Sequence, residues 1–192
     1  PHLQLDLESH TYRGTICGIH SGMPCETWSA ARYSKDDGPP PLRSLEHPFG
    51  LPQLKRSHWI QCQQGNQHFL FTLQLAYNLA SHKGFVSIEH PRPQPRIPST
   101  WDTTQMHTLL QMPDMSTIEV DYCQLGTPFR KPTTLADTRG LLKARLTSHC
   151  NNHCLRCQHR RHLNTLAGIN EDGSFNTSKA KQYPHKLNLS IA

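Results

Sequence analysis

Apolar residues fall along this chain in short bursts, separated by long polar and proline-rich stretches. The first burst, Thr15 to His20, is punctuated by Gly22 and Pro24 and predicts a short buried strand running into a turn. Pro39, Pro40, Pro41, Pro48 and Pro52 exclude sustained helix across residues 34–58 and predict a long loop. Phe69, Leu73, Ala76, Tyr77 and Ala80 then recur at helical spacing, and Leu70, Phe71, Leu75 and Leu79 widen the stripe. The pattern predicts a helix over 66–82, capped by Asn66 and closed at Lys83-Gly84, with Gly84 as a left-handed cap. Residues 85–89 follow as a strand that stops at Pro91.

Strand, long loop, helix and strand in that order predict a crossover unit in an α/β sheet. After a Pro-rich loop, Asp102 is placed to cap a short helix over 103–112, and residues 117–123 predict a third strand. Residues 127–135 predict a proline-broken strand or hairpin arm, and residues 141–146 a short helix. A Cys/His segment follows, then a final helix from Ser178 that is interrupted at Pro184. No internal repeat is visible.

Composition sharpens this picture. At 192 residues the chain suits one domain. Only two valines are present, a thin supply for a sheet, and Leu, Ile, Val and Phe together make up about one residue in five. With 18% charged residues and a net charge of +6, the expectation is a folded, thinly cored chain with long loops. No apolar run approaches the ~20 residues of a membrane helix. The first ten residues lack the basic-then-apolar pattern of a secretory leader. An intracellular setting, nuclear or host-cytoplasmic, is therefore expected, with no membrane partner. Seven cysteines, four scattered and three clustered, then read as reactive or metal-binding thiols. The basic balance points to an anionic partner, most simply nucleic acid.

The sharpest chemical feature is Pro24-Cys25-Glu26-Thr27-Trp28-Ser29, in the turn after the first strand. Open α/β sheets place ligands there. Backbone N–H groups and Arg32 would favour the Cys25 thiolate, the nucleophilic form. Glu89, in Glu89-His90-Pro91, ends the next strand. A thiolate and a carboxylic acid at one sheet edge allow attack at one ring atom while a proton is delivered at another. Farther on, Cys150, Cys154, Cys157 and His162 could supply four zinc ligands. Arg156, Arg160 and Arg161 suit phosphate contacts.

Taken in order, these motifs resemble the C5-cytosine DNA methyltransferases, in particular short, divergent members of phage and mobile-element type. The resemblance runs over residues 15–190 through Pro24-Cys25 with Trp28-Ser29, Glu89-His90-Pro91, Asp121-Tyr122-Cys123-Gln124-Leu125-Gly126 and Arg130-Lys131-Pro132-Thr133. It continues through His162, Gly168, Ala180 and Tyr183-Pro184. It implies that Cys25 attacks C6 of a flipped cytosine, that Glu89 holds the base at N3, and that C5 takes a methyl group from S-adenosylmethionine. It also implies that Arg130 and Lys131 lie near the target base and the DNA backbone. Flipping costs a few kcal/mol, and cations offset the phosphate charge.

The sequence departs from that pattern in several respects, among them a long, Pro-rich gap between Cys25 and Glu89 and no evident long target-recognition domain. Only 24 residues precede Cys25, and Gly14, Gly18 and Gly22 form no Gly-rich cofactor turn; His90 stands where the family has Asn. The fold expected is an incomplete Rossmann-like open sheet of the S-adenosylmethionine-dependent methyltransferase type, with long loops and a Cys/His-rich C-terminal segment. Residues 1–146 would form a partial catalytic region, and residues 147–192 a Cys/His-rich basic segment and C-terminal helix of the same domain. No cofactor-binding residue is assigned. Such a chain is expected to be inactive alone, its cofactor loop supplied by a separate chain or a missing N-terminal part. The alternatives are a non-enzymatic nucleic-acid-binding remnant of a mobile element, with or without zinc, and an unrelated thiol-dependent α/β enzyme.

Overall fold

The computed structural model describes residues 2–34, 38–146, 166, 180 and 182–191. Its longest element is helix α2, Arg56–Ser81. Cys62, Gly65, Asn66, Phe69, Thr72, Leu73, Ala76 and Leu79 repeat at helical spacing along its buried side. The helix begins ten residues before the expected start. Asn66 is no cap but an interior residue, accepting from Arg43 at 2.8 Å and donating to the Phe49 carbonyl at 2.8 Å. The early turns are held by tertiary contact: a Cβ on Gly65 would lie 3.0 Å from the Thr27 hydroxyl. At the other end Lys83, not Gly84, takes the left-handed conformation. Gly84 is instead needed for close approach, since a Cβ there would meet Leu79 Cδ2 at 2.9 Å and the Cys17 carbonyl at 3.1 Å.

Strand β1 (Gly18–Gly22) pairs in parallel with β2 (Phe85–Pro91), so the strand–loop–helix–strand unit is a crossover. Strands β3 (Met115–Asp121) and β4 (Pro132–Thr138) complete a four-stranded mixed sheet in the order β1-β2-β4-β3. Strand β4 runs antiparallel to both its neighbours. The pairing segment is thus 132–138 and not 127–135, because the residues between β3 and Pro132 form a one-turn 3-10 helix (Tyr122–Leu125) and a loop. This is a mixed α/β architecture. No helix among the described residues is long and apolar enough to cross a membrane.

Two cores lie on opposite faces. On one, Val86, Ile88 and Ala136 meet Phe69, Leu73, Ala76 and Leu79 of α2 and Met106 and Leu109 of α3 (Thr104–Leu110). Thr103 caps α3, accepting from the Met106 amide, where Asp102 had been expected. On the other face, Val120, Tyr122 and Leu135 pack with Leu142 of α4 (Leu141–Arg145) and Leu187 of α5 (His185–Ile191). That face also carries a polar row across all four strands. His20 bonds Ser87 at 3.0 Å, Ser87 pairs in register with Asp137, and Asp137 takes a hydrogen bond from Ser116 at 3.1 Å. The N-terminal helix α1, His2–Tyr12, shows no apolar stripe, which is why the hydrophobic pattern gave no sign of it; Leu3 and Leu5 are exposed.

Candidate active site

Strands β1, β2 and β3 run the same way and β4 opposes them. One sheet edge therefore gathers the C-terminal ends of three strands and the start of the fourth. Cys25 stands three residues past β1, in a turn closed by the Trp28 amide bonding the Cys25 carbonyl at 2.9 Å. Glu89 sits in register with Gly22 on the neighbouring strand. Tyr122 directly follows β3, and Lys131 directly precedes β4. Residues far apart in sequence thus meet because of strand direction, as α/β sheets bring ligand-binding groups to strand ends.

Glu89 is buried, and its Oε1 accepts from the Tyr122 hydroxyl and from Lys131 Nζ, each at 3.1 Å. The Lys131 ammonium also lies 4.6 Å over the Tyr122 ring and donates to the Ala180 carbonyl at 3.4 Å. Burial, then the Glu89 charge, pushes the Tyr122 phenol far above its ordinary range, so it stays a hydrogen-bond donor. The second carboxylate oxygen, Oε2, faces the space above Gly22, where the Tyr183 hydroxyl lies.

Burial pushes the Cys25 thiol up; the Lys131 charge pulls it down, and Glu89 and Glu26 push it further up. The balance leaves the thiol protonated at neutral pH, contrary to the activated thiolate expected from the turn. Arg32 is not the cation that addresses it. Its guanidinium donates to the Glu26 carbonyl at 2.6 Å, the Pro40 carbonyl at 2.9 Å and Gln61 at 3.1 Å. Lys131 takes that place, 106 positions from Cys25 in the chain, a separation no local motif bridges.

The turn itself is fixed from behind by Arg43, which is 1% exposed. Arg43 donates to Thr27 at 2.7 Å, to the Pro48 carbonyl at 2.7 Å and to Asn66 at 2.8 Å, with its guanidinium 3.7 Å over the Trp28 ring. Trp28 in turn packs against Phe49 and Phe69. The loop of prolines therefore ends in a knot that locks the Cys25 turn onto α2.

His90, in the position after Glu89, is fully enclosed and bonds Thr100 at 3.0 Å through Nδ1. Its Nε2 finds no partner among the described residues. Burial first, then the Lys131 and Arg43 charges, drives its pKa down to about 3, so it is neutral. Arg130 bonds the wholly buried Asp121 at 3.1 Å and is about one-third exposed. Lys131, which the resemblance puts near the target base and the DNA backbone, pairs with Glu89 inside the site. Arg156, Arg160 and Arg161, and the zinc candidates Cys150, Cys154, Cys157 and His162, lie outside the described residues. Among the described residues no group of three or more His, Cys, Asp or Glu could hold a metal ion.

Set against known proteins, the chain matches no family model, no curated protein and no solved structure.

Proposed function

We propose that the chain carries the nucleophile half of a C5-cytosine DNA methyltransferase-like site, with Cys25 as nucleophile and Glu89 as the group that holds the base. The observation that carries this reading is the parallel β1–β2 pairing, which brings the Cys25 turn and Glu89 to one edge, with Lys131 acting on both. The methyl donor, S-adenosylmethionine, would supply the methyl group for C5. The described residues do not fit it: Asp121, the carboxylate that ends β3, is taken up by Arg92 and Arg130, and Glu89, near the end of β2, is committed to the base. No donor-binding residue is assigned.

What the described residues can do is bind and activate a ring. Glu89, positioned by Tyr122 and Lys131, offers Oε2 to the edge of a flipped cytosine. The Cys25 sulfur adds to C6 while its proton passes to water, and the electron pair of the C5–C6 double bond moves to C5, which takes a proton back from water. Because the thiol is protonated beforehand, this step needs the ring in place before the proton departs. Addition that reverses without a methyl donor exchanges the C5 hydrogen with water. Release of tritium from DNA containing 5-tritiated cytosine, abolished in Cys25→Ser, is the expected result. No release above the Cys25→Ser background would sink the reading.

A second reading, a nucleic-acid-binding remnant without catalysis, is favoured by the protonated thiol and by the acid-free stretch from His47 to Ile88. It predicts salt-dependent DNA binding that Cys25→Ser leaves unchanged and that Arg156, Arg160 and Arg161 to Ala together weaken.

A further inference from the structure

We propose that Tyr183 is a built-in stopper of the Cys25–Glu89 site: the C-terminal segment lays a phenol ring where a flat ligand must lie, so a ligand enters only as Tyr183 leaves. The inference rests on the reading of Cys25 and Glu89 as a working site. It concerns access to that site, not methyl transfer.

Gly22, His20 and Glu89 share one face of the sheet at the mouth of the site. Gly22 presents no side chain, and the Tyr183 hydroxyl fills the space this leaves. A Cβ on Gly22 would overlap that hydroxyl, lie 2.8 Å from Tyr183 Cζ and stand 3.4 Å from Glu89 Oε2. The ring meets His20 edge-on, with centroids 5.1 Å apart. Tyr183 thus borders the carboxylate oxygen that Tyr122 and Lys131 leave free, and both Glu89 and Cys25 act on its phenol.

The same segment is tied to the site a second time, through the Ala180 carbonyl that accepts from Lys131. The first tie is packing of the ring against His20 and over Gly22, and the second is a single hydrogen bond to Lys131. The firm anchor lies beyond them, at Leu187, which is wholly buried in the second core. A phenol held by one ring contact and one neighbouring hydrogen bond, with its apolar anchor farther along the chain, can be exchanged for another ring at little cost to the core. Its six-membered ring and single donor match the shape and polarity that the thiol–carboxylate pair would receive.

The test uses the intact chain and iodoacetamide, with alkylation read separately at Cys25 and at Cys62. Cys62 is buried behind the Cys25 turn, its thiol facing the Leu42 carbonyl, and reports loss of the fold. Tyr183→Ala removes the ring, and Gly22→Ala expels it by overlap. Each is expected to speed Cys25 alkylation by about tenfold, the scale of one lost aromatic contact, while Cys62 stays protected. Tyr183→Phe keeps the ring and is expected to stay close to the unsubstituted chain. An unchanged Cys25 rate in both variants, or a rise at Cys62 in step with Cys25, overturns the proposal. If Cys25 opens in both variants and no cytosine exchange follows in either, the stopper stands and the methyltransferase reading falls.

Discussion

Two cations, Arg43 buried and Lys131 half-buried, flank the Cys25 turn, and they are built differently. Arg43 has no carboxylate within ion-pair distance among the described residues. It is held by neutral acceptors on the Pro-rich loop, the Cys25 turn and α2, and by the Trp28 ring. Burial lowers its pKa to about 10, so it stays charged at neutral pH. Lys131 instead pairs with a buried carboxylate and bears electrostatically on a thiol. The planar fork of arginine suits joining several backbone segments at once, whereas lysine presents a compact charge that can change partners. The first site is organised to hold a shape; the second is organised to hold a charge next to a nucleophile.

Removing the first cation should have the largest effect. Arg43→Met leaves Thr27, Asn66 and the Pro48 and Cys62 carbonyls without their donor. With about 1–3 kcal/mol for each buried group left unpaired, partly relieved by relaxation, a loss of about 3–5 kcal/mol is expected in urea unfolding. A variant as stable as the parent would mean that the loop is held by something else.

Next in size is the dependence on pH contributed by His90, which feels both cations. Its folded-state pKa of about 3 lies below the ordinary 6.5. The unfolded chain therefore binds the proton first as pH falls. The stability contributed by neutral His90 is fully present above pH 6.5 and declines towards pH 3, by at most about 1.4 kcal/mol per pH unit. Unfolding midpoints measured across that window should show the decline, and His90→Gln should flatten part of it. An equal slope in both proteins would separate His90 from the acid response.

The smallest effect separates the roles of the cations most cleanly. The Lys131 charge lowers the Cys25 pKa and the Glu89 charge raises it. Lys131→Met should therefore move the midpoint of Cys25 alkylation to higher pH, and Glu89→Gln should move it to lower pH. Arg43 does not act on that thiol by charge, so milder substitutions there should leave the midpoint in place. Shifts of the same sign in Lys131→Met and Glu89→Gln would show that the thiol responds to packing and not to charge.

How legible this was depends on where the information sits. The strand–helix–strand order was readable because the Phe69–Leu79 stripe and the Phe85–Ile88 run repeat over a few residues. The placement of Cys25 after one strand and of Glu89 near the end of the next followed from the same local signals. The first ten residues of α2 were not readable, because their polar sequence is helical only against the Arg43–Trp28 knot. Tyr122 carried a faint signal as part of the Asp121–Gly126 motif. Tyr183 carried little beyond its place before Pro184.

The sequence by itself determined the α/β alternation, the position of the Cys25 turn, the basic balance of the chain and the absence of an apolar run long enough for a membrane helix. These depend on side-chain periodicity and on the backbone limits of Pro and Gly, both short-range properties. Only the tertiary structure decided that Lys131 and not Arg32 addresses the thiol, that Glu89 is gripped by Tyr122, and that a distant tyrosine stands above Gly22. Those contacts join residues 33 to 161 positions apart. They follow from strand direction and register in the sheet, which hydrogen bonding across the whole fold sets and no stretch of sequence contains.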